Sequence, residues 1–381
     1  TGRQIPVRVT NKITGDPVEG VSIAASGSDT QTDKDGETNV VVDASVTTLE
    51  AELTAAGYNS QRVNLTAGQE VSANTFALTP SGKVYFLSKK TGKIDVVKTD
   101  LDGANRQTVL EGTGNEETTN TVMLASRDWK FLALLARRDG THAVLYLIDT
   151  SSDKLTQIDS NNAEFSLAGW SGHNFVYSSR SNALLDWQPG QAQLKSFNAE
   201  SGQLAKIDET TASGTNYVDY VAESIGSVYL LDDSVVYAKN WLGDSAQTAA
   251  KRPALYAAKS NGNDKKLIKD FDPSYLTLVQ SEPHELYLQQ SGAEGKTTYY
   301  AYENAVLKQD DALTPQSFNQ FYATYLLSPS SNKTFWYEPR DGKNSLFVGD
   351  KNGQNGREIL SVGEYVTYGW HGDDYVLLSK N

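Results

Sequence analysis

The sequence predicts an all-β chain in two parts, a small two-sheet β-sandwich followed by a β-propeller of six blades. Three observations carry this. Apolar residues recur with a two-residue period and no helical stripe. A four-strand unit of ~40 to 50 residues repeats from about residue 82 onward. Composition also shifts near residue 80: Tyr58 and Phe76 are the aromatics before it, while all six Trp lie at or beyond Trp129. Such a shift marks a domain boundary, so residues 1–80 and 81–381 are read as separate domains.

Within residues 1–80 the alternating positions are Ile5, Val7 and Val9, then Val21 and Ile23, Val40 and Val42, Leu49 and Leu53, and Val63 and Leu65. Period two places each set on one face of a half-buried strand. Between them stand Thr14-Gly15-Asp16-Pro17, Asp33-Lys34-Asp35-Gly36 and Gly57-Tyr58, residue types that supply a fixed or positive φ where a chain reverses. Thr79-Pro80-Ser81-Gly82 is too short for a free tether, so the two domains are expected to lie close together.

From residue 82 the repeat is clearest at Thr121–Leu124, Lys130–Ala136, Val144–Asp149 and Lys154–Ile158. Copies follow at about 163–207, 216–270, 276–309 and 318–360. Four short antiparallel strands cannot bury both faces alone, and stacking successive sheets around an axis solves this with short, protected edges. Five complete units leave three strands within 84–110 and two more at Tyr365–Trp370 and Tyr375–Ser379. These are expected to share one closing sheet, giving six blades. The leftover strand keeps seven open.

Gly15-Asp16-Pro17-Val18-Glu19-Gly20-Val21, Thr32-Asp33-Lys34-Asp35-Gly36 and Ala56-Gly57-Tyr58 resemble the PEGA and carboxypeptidase-regulatory-like family of transthyretin-like sandwiches, over nearly all of residues 1–80. Val21 departs from the Ala usual in the PEGA form. The resemblance implies a non-catalytic spacer or attachment module on an exported protein. Ala168-Gly169-Trp170-Ser171-Gly172-His173, Tyr368-Gly369-Trp370-His371-Gly372-Asp373 and Ser328-Pro329-Ser330-Ser331 are similar to the "SPDG" corner of TolB-like propellers and of the propeller half of prolyl oligopeptidases. Thr99-Asp100-Leu101-Asp102-Gly103 resembles their "DLDG" turn. That family ranges from periplasmic binding proteins to enzymes.

Charge and composition narrow the function. With 34 basic and 47 acidic residues the net charge is -13, which opposes binding to nucleic acid or an anionic membrane. Without Cys there is no disulfide framework, thiol nucleophile or Cys-bearing zinc site. The longest apolar run, Phe131–Ala136, is far below the ~18 residues of a spanning helix. The chain opens at Thr1 and its single methionine is Met123. An upstream export signal or anchor is therefore expected, with the protein at the cell surface or in the periplasm and any membrane attachment made through that missing segment.

No residue set forms a catalytic signature. Gly169-Trp170-Ser171-Gly172 lacks the Gly-x-Ser-x-Gly spacing. His142, His173, His284 and His371 are not spaced as helix or strand metal ligands. The calcium-like strings at Asp33, Asp100 and Asp350 have Ala44, Glu111 and Ser361 at the twelfth position, so Asp100–Glu111 alone keeps the acid, and without flanking helices. No metal or cofactor is expected. Recognition is the expected use: loops between strands bound a ligand face, and Trp187 and Trp241, apolar bodies in long polar segments, are the expected contacts, with Arg138, Arg180 and Arg340 as charged neighbours. The expected partner is a protein or cell-envelope component, bound by a monomer. A lyase or glycosidase using channel carboxylates or a metal, and a purely structural module, are the competing readings.

Overall fold

The computed structural model describes residues 2–25, 27–68, 70–160, 162–249, 251–270, 275–282, 285–291, 295–312, 327–340, 342–362 and 365–380. Among them strands dominate, and helix is confined to a 3-10 turn at Val71–Asn74 and one turn of α-helix at Ser245–Thr248. No helix among the described residues is long and apolar enough to cross a membrane. The chain divides into two compact units, Thr1–Gly112 and Thr113–Asn381.

In the first unit, Arg3–Asn11 pairs antiparallel with Glu37–Val42 and parallel with Thr75–Leu78. A second sheet runs in the order Ser28–Gln31, Ser22–Ala25, Thr48–Thr54, Gln61–Thr66. Ile5, Val7 and Val9 from the first sheet share one apolar cluster with Ile23, Leu53 and Leu65 from the second, all of them fully buried. Arg8, Glu50 and Arg62 between them are exposed. A one-residue slip would reverse every face, and each buried aliphatic is worth about 1.5–3 kcal/mol, so this alternation fixes the register. At the Asp33 turn the carboxylate accepts from the Asp35 and Glu37 amides, both at 2.9 Å. Gly36 has φ +74°, and a Cβ there would collide with the Val9 carbonyl oxygen.

Lys83–Ser88, Asp95–Asp100 and Gln107–Leu110 form a third sheet in this unit. Its turn is tied to earlier strands: Asp102 accepts from Lys12 Nζ at 2.7 Å and from Thr79 Oγ1 at 2.9 Å, while Asp100 takes Lys83 and, at 2.7 Å, Asn105 Nδ2. The carboxylates of the calcium-like string are thus committed to protein donors. The closing sheet expected from the sequence joins strands that fall in different units. Within the first unit the head strands form the three-stranded sheet above, and within the second Tyr365–His371 pairs with Tyr375–Lys380. The Lys12 and Thr79 contacts with Asp102 tie the head strands to the rest of the first unit.

In the second unit, antiparallel meanders follow one another: sheet I (residues 122–159), II (163–209), III (212–270), IV (275–309), V (333–362) and VI (365–380). Sheets I, II and IV have four strands. Sheet III has a fifth, Ala212–Ser213, so the four-strand expectation falls short there. The first strand expected of sheet V lies outside the described residues, apart from the bridge Leu327–Thr334. A register shift recurs between the first and second strands of II, IV and VI, and between Val221–Leu230 and Ser234–Gly243, the second and third strands of III. Another recurs in the last pair of I, II, III and V. Each shift interrupts the ladder, and where it is a bulge it increases the local twist.

Apolar clusters join neighbouring sheets. Ala133 and Leu145 of I pack with Phe175 and Tyr177 of II, Val176 and Leu194 of II with Val235 and Tyr237 of III, Val236 and Leu255 of III with Leu286 and Tyr300 of IV, and Phe335 and Leu346 of V with Trp370 of VI. The last sheet returns to the first: Trp129 Nε1 donates to the Trp370 carbonyl at 3.1 Å, and its ring lies 5.1 Å from that of His371.

The turns ahead of the strands Phe131–Ala136, Asn174–Ser181, Ser234–Gly243, Lys333–Arg340 and Tyr375–Lys380 gather at one end. Arg127 of sheet I donates to the Pro329 carbonyl of sheet V at 3.3 Å. Burial pulls its guanidinium down from the ordinary arginine value, against the attraction of Asp232 of sheet III and Asp373 of sheet VI. Asp373 in turn accepts from the Ser330 amide at 2.9 Å. Sheet II joins through Gly172 (φ +55°), where a Cβ would stand 2.6 Å from the Asp232 carbonyl oxygen.

Candidate functional site

In a meander the second-to-third-strand connections and the linkers between sheets lie at the end opposite those corners. On sheets II and III this end carries three segments: residues 182–191, residues 214–220 and residues 244–253.

Trp241, expected in a loop, stands instead on the strand Ser234–Gly243, paired with Glu223. The strand outruns the expectation because its partner, Val221–Leu230, is equally long and is braced by Ala212–Ser213. Beyond it, Asp244 accepts from the Ala246 and Gln247 amides at 2.8 and 3.1 Å, capping the single helical turn. The Lys251 amide donates to the Thr248 carbonyl at 2.9 Å. This folds the segment back over the indole: Trp241 Nε1 donates to the Arg252 carbonyl at 3.1 Å, and Lys251 Nζ sits 4.8 Å from the ring centre.

The result is a cleft of about 330 Å³ lined by Glu223, Lys239, Trp241, Lys251, Arg252 and Tyr256, among others. Its floor is a buried charge network. The Lys239 side chain is 6% exposed and lies 2.6 Å from Glu223 Oε2 and 3.5 Å from Asp208 Oδ2. Asp208 also takes Lys265 at 2.7 Å and the Tyr237 hydroxyl at 2.8 Å. Burial pushes the Asp208 carboxyl up, but Lys265, Tyr237 and Lys239 outweigh it and hold the group below the usual carboxylate range. Burial and the Asp208 charge raise Tyr237, which therefore stays a donor.

Trp187 lies on the 182–191 segment, half-buried, with its ring centre 6.2 Å from that of Tyr220. Leu185, Val218 and Leu242 are exposed nearby in sequence or pairing, and Tyr217 is 75% exposed. Arg180 pairs with Asp186 of the same segment. Arg138 is elsewhere, on sheet I, 3.1 Å from a buried Glu116 that the Thr113 and Gly114 amides also hold. Arg340 ends the strand Lys333–Arg340, and its side chain lies outside the described residues. Thus the structure places Trp187, Arg180 and Trp241 on sheets II and III, and Arg138 and Arg340 on sheets I and V.

Sequence reasoning missed the floor network, although a signal existed. Gln157-Ile158-Asp159 and Lys206-Ile207-Asp208 end equivalent strands, and Phe175-Val176-Tyr177 and Val235-Val236-Tyr237 occupy equivalent second strands. Asp159 accepts from Tyr177 and Lys195, both at 2.9 Å, so the Asp–Tyr–Lys contact is made twice. Among the described residues no group of three or more His, Asp or Glu is arranged to hold a metal ion. His284 lies outside the described residues.

No family model matches this chain, and no curated protein does. Among solved structures it is similar to TolB from Acinetobacter baumannii, at 12% identity over 83% of this chain and 76% of that one, TM-score 0.38. It is also similar to the β-propeller domain of the trilobed protease from Pyrococcus furiosus, at 13% identity over 92% and 87%, TM-score 0.39. Oligogalacturonate lyase from Vibrio parahaemolyticus matches at 12% identity over 92% and 97%, TM-score 0.40. These likenesses assign no activity, substrate or partner to this chain.

Proposed function

We propose that this is a non-catalytic recognition protein. In this reading sheets I to VI stand as blades of a propeller around the Arg127 axis, and the end of sheets II and III opposite the corners binds a macromolecular partner. Residues 1–80 act as a transthyretin-like sandwich of the PEGA kind, spacing or docking the ring on an exported protein. One observation carries the binding role: exposed Leu185, Tyr217 and Val218 on the connections, with Trp187, accompany Trp241 and exposed Leu242 at the end of the strand Ser234–Gly243, on two adjacent sheets. Apolar side chains concentrated on polar connections mark interaction surfaces. A carboxylate pair for glycoside chemistry has less support. Glu223 and Asp270 both face the cleft, but Glu223 is taken by Lys239 and by the Thr211 amide and hydroxyl, at 2.9 and 2.7 Å.

The test is partner capture by Trp187→Ala and Trp241→Ala. Both variants should keep the wild-type melting transition and lose about tenfold or more in affinity, the scale of an aromatic contact residue. Capture unchanged in both would overturn the reading.

A further inference from the structure

A second cleft, of about 400 Å³, opens between sheets III and IV beside the corner at residues 231–234, within the size range of small-molecule sites. Leu231, Ala257 and Tyr302 in its lining belong to the apolar cluster that joins the two sheets. Its rim is held by the protein's own contacts. Asn304 and Ala305 have φ +49° and +63°, both left-handed as in the tight hairpin turns that favour Asn and Gly, and the Ala305 carbonyl accepts from Lys266 Nζ of sheet III at 2.8 Å. On sheet III, Lys259 pairs with Asp264 at 2.7 Å, and the Ser260 amide donates to the Asp233 carbonyl at 3.0 Å. Lys259 and Lys266 balance Asp233 and Asp264 in the lining, so charge selects neither an anion nor a cation here. One polar group is left over. The buried tyrosines Tyr177, Tyr237 and Tyr300 donate to Asp159, Asp208 and Gln290 at 2.9, 2.8 and 2.9 Å, as buried tyrosine hydroxyls usually do. Tyr302 is 3% exposed and lines the cleft, yet its hydroxyl has no hydrogen-bond partner among the described residues. Burial and the Asp233 charge raise its pKa, so it stays a donor.

We infer that this cleft binds a small uncharged molecule with an apolar body and a hydroxyl group, of the phenol kind. A hydroxyl is both acceptor and donor, so it takes the Tyr302 proton and gives its own to the Asp233 carboxylate, both in the lining. The apolar body lies against Leu231, Ala257 and Ala258. The site does not depend on the recognition role proposed above.

Phenol and benzene, titrated onto the full chain and followed by backbone amide NMR shifts, test it. Phenol should give saturable shifts at Ala257, Ala258 and Ala305, and benzene should bind more weakly. Tyr302→Phe should weaken phenol about fivefold, the scale of one neutral hydrogen bond, and leave benzene unchanged. It should also keep or raise the melting transition, because the hydroxyl gives up no internal partner. Ser234→Leu, which fills the cleft from a half-buried position in its lining, should remove binding of both. No saturable phenol shifts, shifts only at other residues, phenol and benzene bound alike, or phenol binding indifferent to Tyr302→Phe would overturn the inference. So would a melting transition lowered by Tyr302→Phe, since the hydroxyl would then already be bonded within the protein.

Discussion

Both ring nitrogens of His173 face carboxylates, Nε2 at 2.8 Å from Asp128 and Nδ1 at 2.7 Å from Glu200, and only the imidazolium can donate to both. Lys130 Nζ, 3.3 Å from Asp128, and the Ser126 hydroxyl share that carboxylate, and Phe131 packs on the imidazole. Partial burial pulls the ring down, but the hydrogen bonds and charges of Asp128 and Glu200 outweigh it and raise the pKa above 6.5. Asp128 is held at about 2, its hydrogen bonds to Ser126 and His173 overcoming desolvation. The sign follows from linkage. The His173 contribution is complete below pH 6.5 and is lost as pH rises through the raised value, while that of Asp128 is lost only in strong acid. His173→Gln should therefore cost about 1 kcal/mol on the acid side, the scale of partly exposed ion pairs, and little in alkali. Urea titrations across pH check this, and an equal loss at both ends would contradict it. The corner that carries His173 was legible as a repeated phrase. Its partners were not, because Asp128 sits 45 residues away on another sheet and period-two reading carries no information about such pairs.

At the scale of elements, strand identity was legible wherever one face is buried and the other wet, since alternation then encodes both strand and register. The bulges were not, because period-two alternation records which face a residue takes, not where an extra residue such as that between Leu167 and Gly169 interrupts the pairing. Trp241 was misplaced for a related reason: strand ends are set by the length of the partner strand, here Val221–Leu230. The Asp–Tyr–Lys contacts between sheets supply the test at this scale. The Lys195 and Asp159 side chains are 9% and 3% exposed at 2.9 Å separation, so removing the cation takes the Lys195 counter-charge from a buried carboxylate that keeps the Tyr177 hydroxyl as a donor. Lys195→Ala should cost about 3–5 kcal/mol, read from denaturant unfolding. A cost below about 1 kcal/mol would mean the pair is solvated, which its burial forbids.

Across the whole molecule, the division into two compositions and the all-β character could be read directly, but closure could not. A sequence records that strands are available, not which free edge each one takes. Lys12 and Thr79 hold the head strands in the first unit, while Trp129 fastens the final hairpin to sheet I of the second. That arrangement leaves one end of the second unit filled by corners around Arg127 and the other bearing the tryptophan segments, and the functional account requires these ends to behave differently. The most direct measurement is site-specific photo-cross-linking in native extract, with a benzophenone amino acid at Tyr217 on the tryptophan end or at exposed Leu204, the first residue after a third-to-fourth-strand turn at the corner end. The account predicts a discrete cross-linked partner from position 217, abolished by Trp241→Ala, and none from position 204. The same partner from both positions, or none from position 217, would contradict it.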